Sequence, residues 1–159
     1  MKKLLIVDGN SILNRAFYGV RPLSNKEGLP TNALFGMVSI LEKNLEAVKP
    51  DFAAIAFDLK APTFRHIKYD LYKANRHPMP DELRMQVPHI HECVANLGFH
   101  VLELDGFEAD DIIGTVARMG DEADNVHSYI LTGDRDSLQL LSENTTVILQ
   151  NVKIKLSDR

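Results

Sequence analysis

Apolar positions along this chain follow two alternating rhythms. Five short runs, Lys2–Asp8, Phe52–Asp58, Phe99–Leu104, Val126–Leu131 and Thr145–Leu149, are mostly apolar. Runs of that length suit strands covered on both faces, as in a parallel sheet. Between them the apolar residues recur at helical spacing. A long helix capped by Thr31 carries Leu34, Val38, Leu41, Leu45 and Val48 at steps of 4, 3, 4 and 3, and Pro50 closes it. Another opens at Asp81, with Leu83, Val87, Ile90, Val94 and Leu97 on one side and Gly98 at its end. Pro88 either kinks that helix or marks its true start. A third runs from about Ala109 to Met119 and buries Ile112, Ile113, Val116 and Ala117. Shorter helices are expected at Ile12–Tyr18 and Ser137–Leu141. Gly9-Asn10-Ser11 reads as a turn, Arg21–Pro30 as a loop, and Pro62–Pro80 as a partly helical excursion over the sheet edge. The tail V-K-I-K-L alternates with period two, the pattern of an edge or hairpin strand. Strands alternating with helices predict an α/β fold, a mostly parallel central sheet of about five strands with helices on both faces.

The acidic residues follow this pattern closely. Asp8 and Asp58 end the first two apolar runs, and Asp134 and Asp136 in T-G-D-R-D follow the fourth. Glu108, Asp110 and Asp111 lie in G-F-E-A-D-D, where a strand leads into a helix. Each group has a plain structural use as a turn, a cap or a favourable charge at a helix start, the last worth about 0.3–1 kcal/mol. In a parallel sheet, however, the carboxyl ends of the strands share one edge, which is where ligands bind. Seven carboxylates sent to one edge resist joint ionisation unless cations neutralise them. Hard divalent metals fit such oxygen donors and suit phosphate chemistry, so a metal-dependent nuclease is the leading expectation.

Charge adds a second element. The net charge of −4 argues against a general nucleic-acid coat protein, but its distribution is uneven. Lys60, Arg65, Lys68, Lys73 and Arg76 face a single acid, Asp70, in their stretch, whereas Glu103–Asp124 holds eight acids and one base, Arg118. A basic strip opposite an acidic pocket suits a phosphodiester backbone held over a cleavage centre, and two solvated faces of opposite sign are the plain alternative. Lys73 and Arg76 share a helical face and are placed to add positive charge in a transition state. Tyr72 suits stacking on a terminal base, and Phe64 suits core packing better. Arg65 suits either a phosphate or a carboxylate partner. His89 and His91, two apart, make a poor metal pair on a helix.

Other classes fall away. The length fits one domain, the lone Cys93 allows no internal disulfide, and the apolar start LLIV is too short for a signal or membrane segment. A cytoplasmic location without membrane contact is expected. No glycine-rich phosphate loop occurs, and Asp8-Gly9-Asn10 lacks a second acid two residues on, which argues against nucleotide binding and phosphatase chemistry.

The stretches L-L-I-V-D-G-N-S, A-I-A-F-D, T-F-R, Y-K-A-N-R-H-P-M-P, G-F-E-A-D-D-I-I-G-T and T-G-D-R-D span almost the whole chain. Together, in this order, they resemble the first half of the 5′–3′ exonuclease domain of bacterial DNA polymerase I, within the flap-endonuclease and PIN-like family. The resemblance implies a PIN-like fold and a metal-dependent 5′–3′ exonuclease or 5′-flap endonuclease that hydrolyses DNA with two ions, Mg²⁺ or Mn²⁺. It implies Asp8, Asp58, Glu108, Asp110, Asp111, Asp134 and Asp136 as metal ligands, some through water. It makes Tyr72, Lys73 and Arg76 a gateway at the scissile phosphate, with Lys73 and Arg76 catalytic, and Arg15 a further phosphate contact. At Arg135 the family usually shows lysine, which keeps the charge. Residues 1–159 are then expected to form one domain that stops short of a helix–three-turn–helix DNA clamp, with weakened cleavage and a polymerase module following in the full-length protein. The alternatives are a PIN-like ribonuclease and a catalytically incomplete nucleic-acid-binding module, which would bind DNA through Lys60–Arg76 with steep salt dependence.

Overall fold

A computed structural model describes residues 1–59, 79–149 and 151–158. Six strands, β1 (Lys2–Asp8), β2 (Phe52–Ala56), β3 (His100–Leu102), β4 (Val126–Thr132), β5 (Thr145–Leu149) and β6 (Val152–Ile154), form one sheet in the order β3-β2-β1-β4-β5-β6. The first five are parallel, and β6 runs antiparallel to β5 at the edge, where the alternating tail was expected. The chain winds outward from β1 to β3, then returns to lay β4 on the other side of β1. That reversal opens a crevice at the carboxyl ends of β1 and β4, the usual ligand position in such sheets.

The helices are α1 (Gly9–Gly19), α2 (Asn32–Val48), α3 (Asp81–Arg84), α4 (Val87–Asn96) and α5 (Ala109–Glu122), with 3₁₀ turns at Arg135–Leu140 and Leu156–Asp158. Period-two alternation divides the sheet's residues between two cores. Leu5, Val7, Ile55 and Leu131 pack with α1, α2 and α4, while Ile6, Ala56, Ile130 and Val147 pack under α5. Each fully buried aliphatic side chain contributes about 1.5–3 kcal/mol.

Three expectations shift. Gly9-Asn10-Ser11 is not a turn but the first turn of α1, because Asp8 caps the helix directly. The long helix buries Leu41 and Val48 of its expected stripe, with Leu34 and Leu45 part-buried against the same core, and it turns Ala33, Met37 and Asn44 inward beside them. The helix from Asp81 breaks in two, and Pro88 sits in the first turn of the second part, where its missing N–H costs no hydrogen bond. Most of the expected Pro62–Pro80 excursion lies outside the described residues.

A buried amide pair ties the helices of one face together. Gln86 Oε1 accepts the Leu34 N–H at the start of α2 (3.0 Å), and its Nε2 donates to Asn32 Oδ1 (2.9 Å) and the Glu82 carbonyl (3.0 Å). Asn32 Nδ2 in turn donates to the carbonyls of Phe17 and Val20 at the end of α1. Gln86→Leu keeps the volume but strands these partners in a dry site. It will lower the unfolding free energy in urea by about 2–4 kcal/mol, since each orphaned buried group costs about 1–3 kcal/mol.

Candidate metal centre

Asp8 is both the last residue of β1 and the cap of α1, and it is 4% exposed. Its Oδ1 accepts the Ser11 N–H (3.2 Å) and its Oδ2 accepts the Thr132 hydroxyl (2.9 Å). Thr132 ends β4, and its oxygen also accepts the Asp134 N–H (3.0 Å). Asp134 caps the following 3₁₀ turn, accepting the Asp136 N–H (2.9 Å). Ser11 Oγ accepts the Gly133 N–H (2.8 Å), which clamps the loop after β4 onto α1. Beyond β2, the Asp58 N–H donates to Asn10 Oδ1 (2.8 Å), and Asp58 Oδ1 accepts the Ala109 N–H that opens α5 (2.6 Å). Three helix starts and three strand ends therefore meet at one edge.

Between them lies a cavity of about 340 Å³ whose lining includes Asp8, Asp58, Glu108, Asp110, Asp134 and Arg135. Asp8 and Glu108 are buried at its floor, Asp58 and Asp134 are half-buried, and Asp110 is exposed at its mouth. The other two acids of the expected set stand aside. Asp111 accepts the Glu108 N–H (2.9 Å) and lines a neighbouring apolar recess with Leu102, Leu104 and Phe107. Asp136 lines a small recess that it shares with Asp110. Arg15, on α1, is not among the residues lining the acidic cavity, and its Nη1 is buried without a hydrogen-bond partner among the described residues. Arg65, Tyr72, Lys73 and Arg76 lie outside the described residues. Asn10, Ser11 and Thr132 had not been singled out. Each is a hydroxyl or amide within a few residues of a strand-ending acid, the one signal that pointed to them.

Burial raises the Asp8 carboxyl from 3.8 to about 6. The hydrogen bonds from Ser11 and Thr132 pull it down, while the negative charges of Asp110 and Asp58 push it up further. Near neutral pH the carboxylate is ionised at a cost that a cation in the cavity would remove. Among the described residues, no group of three or more His, Cys, Asp or Glu side chains is drawn together closely enough to hold a metal by itself. The donors are nonetheless all hard oxygens around a space that admits water. That suits ions of the Mg²⁺ type, which keep several waters and bind through one or two carboxylates.

Residues 3–158 match the family described as the 5′-3′ exonuclease, N-terminal resolvase-like domain. The chain belongs to this family. Its relatives include DNA polymerase I of Caldicellulosiruptor bescii, 43% identical over 151 residues, a match covering 95% of this chain and 18% of that protein. DNA polymerase I of Pseudomonas aeruginosa is 44% identical over 146 residues, covering 91% of this chain and 16% of that protein. The exonuclease-family chain thus spans less than a fifth of the length of these relatives. Among solved structures, the T5 D15 protein co-crystallised with metal ions superposes with a TM-score of 0.74 at 19% identity, covering 99% of this chain and 59% of that one. The T5 flap endonuclease in a pseudo-enzyme-product complex with DNA and metal ions gives 0.65, also at 19% identity and with the same coverage. At that identity the shared feature is the fold, the PIN-like arrangement that the resemblance implied.

Proposed function

We propose that this domain is a divalent-metal-dependent 5′–3′ exonuclease and 5′-flap endonuclease acting on DNA, with Mg²⁺ or Mn²⁺ as its cofactor and two ions in the working site. The observation that carries this reading is the convergence of Asp8, Glu108 and Asp134, from three distant parts of the sequence, on one cavity at the reversal point of the sheet. Bound T5 relatives carry metal ions and DNA, which supports the same assignment for this fold.

Asp8, Asp58, Glu108, Asp110 and Asp134 would hold the ions, several of them through water. When bound, divalent cations lower the pKa of a water and stabilise the leaving oxygen of a phosphodiester. The chain's own residues supply the frame. Thr132 and Ser11 orient Asp8, Asn10 fixes the backbone at Asp58, and Asp111 braces the turn that presents Glu108. The bases Lys60, Arg65, Lys68, Lys73 and Arg76 would grip the phosphate backbone. Within that strip, Lys73 and Arg76 would act on the scissile phosphate and Tyr72 would stack on a terminal base. Arg15 would contribute a further phosphate contact. Such a substrate implies a cytoplasmic site of action, and no described helix is long and apolar enough to cross a membrane.

A 5′-flap DNA assay with Mg²⁺ or Mn²⁺ tests the reading, with Asp134→Ala as comparator. Cleavage by the wild type and its loss in the variant are expected, while equal rates in the two would remove Asp134 from the mechanism. Preference for single-stranded RNA in the same assay would favour the ribonuclease reading. The acids are not drawn together beforehand, which favours one other outcome, salt-sensitive DNA binding without turnover.

A further inference from the structure

We infer that Thr132 is a positioning residue for the cation site, holding two of its acids in a fixed mutual arrangement through one hydroxyl. This inference rests on the metal-dependent reading above and deepens it. Thr132 is fully buried at the end of β4, and its Oγ1 lies 2.9 Å from Asp8 Oδ2 and 3.0 Å from the Asp134 nitrogen. The direction of both bonds follows from chemistry alone. A backbone N–H can only donate, so the hydroxyl oxygen must accept from Asp134, and its single proton is left for Asp8. The Asp8 carboxylate is held on its other side by the Ser11 N–H, which also can only donate. Each Asp8 oxygen thereby has one lone-pair site committed to protein and retains another for a cation or its water.

The same oxygen sets where Asp134 begins. Asp8 ends β1 and Asp134 lies two residues beyond the end of the adjacent parallel strand β4, and this hydroxyl joins them directly, beside the Ser11 Oγ–Gly133 N–H bond. Outer groups that orient metal-binding carboxylates in this way usually change affinity without touching the ion. A threonine suits this fully buried position better than serine, because its branched Cβ restricts the rotamer.

The test is Mn²⁺ binding by calorimetry and electron paramagnetic resonance, independent of any cleavage, on wild type, Thr132→Val and Thr132→Ser. Valine keeps the shape and removes the hydroxyl, and it is expected to weaken Mn²⁺ binding about 10–100-fold, whereas serine restores binding close to wild type. Should the valine variant not fold, Thr132→Ala, which leaves space in place of an apolar wall, is expected to show the same loss. Wild-type affinity in a folded variant without the hydroxyl overturns the inference. So does a serine variant as weak as valine, since packing and not the hydroxyl would then be at work. Failure of the wild type itself to bind Mn²⁺ overturns the nuclease reading and this inference with it.

Discussion

Replacing Asp8 by asparagine will make the metal-free protein more stable near neutral pH and at the same time abolish its stabilisation by divalent cations. The carboxyl of Asp8 titrates at about 6 in the folded protein against 3.8 for an ordinary aspartate. A raised acid means that the folded state takes up its proton before the unfolded chain does as pH falls. The metal-free protein therefore loses stability as pH rises from about 4 to about 6, and above that carries the full penalty, about 3 kcal/mol at 1.36 kcal/mol per unit. Asparagine removes the charge while its Oδ1 still accepts the Ser11 N–H. Its amide nitrogen then meets Thr132, whose hydroxyl proton loses its partner at a cost of about 1 kcal/mol. A net gain of about 1–2 kcal/mol follows, read as a higher urea midpoint in the presence of chelator. Adding Mg²⁺ or Mn²⁺ will raise the melting temperature of the wild type but not of the variant. In the wild type that increment will fade as pH is lowered through about 6, where a proton competes with the cation. An asparagine variant weaker than wild type in chelator would show that the carboxylate is not under strain, and an undiminished cation response would remove Asp8 from the site.

Asp8, Asp58 and Asp134 were legible because each sits at or just beyond the end of an apolar run, and Glu108 and Asp110 because they open a helix; neither signal needs tertiary knowledge. How they are held was not. Thr132 and Asp8 are 124 positions apart, and their contact exists only because β4 returns beside β1, a choice of strand order that the apolar pattern does not contain. Asp111 shows a different limit. Three residues from Glu108, it shares a helical face on paper, but Glu108 precedes the helix as its cap, and Asp111 turns back to the Glu108 amide. The inner face of α2 was legible only in part, through Leu41 and Val48, because apolar spacing ignores size. Gly36 lets α1 approach so closely that an added Cβ would stand 2.9 Å from the Ala16 methyl and from Val20, and the small face turns inward. The basic strip was plain in composition, yet its residues 60–76 fall outside those that the structure describes.

Gly9→Ala will destabilise the fold and loosen the cation site together, although alanine is the better helix former. Gly9 opens α1 directly against the end of β2. A methyl there would lie 2.6 Å from the Phe57 ring and 2.7 Å from the Ala56 carbonyl oxygen. Neither neighbour can yield cheaply. Ala56 is locked in the sheet between Asp8 and Leu102, and Phe57 is buried with its ring against His91 at 4.5 Å. Relief requires α1 to lift from β2, and that overpacking costs about 1–3 kcal/mol or more. The gain in helix propensity, at most about 1 kcal/mol, does not offset it. The same movement would stretch the bond from the Asp58 N–H to Asn10 Oδ1 and part Asp58 from Asp8, so cation affinity should fall even in the folded fraction. Gly19, at the far end of the same helix, is the control. Nothing among the described residues lies within 4 Å of a Cβ built there, so Gly19→Ala should be neutral or slightly stabilising. Urea midpoints of the two variants, followed by Mn²⁺ titration, separate the cases. If Gly9→Ala matches Gly19→Ala in both measurements, the close approach of α1 to β2 is not what holds Asp58 at the site.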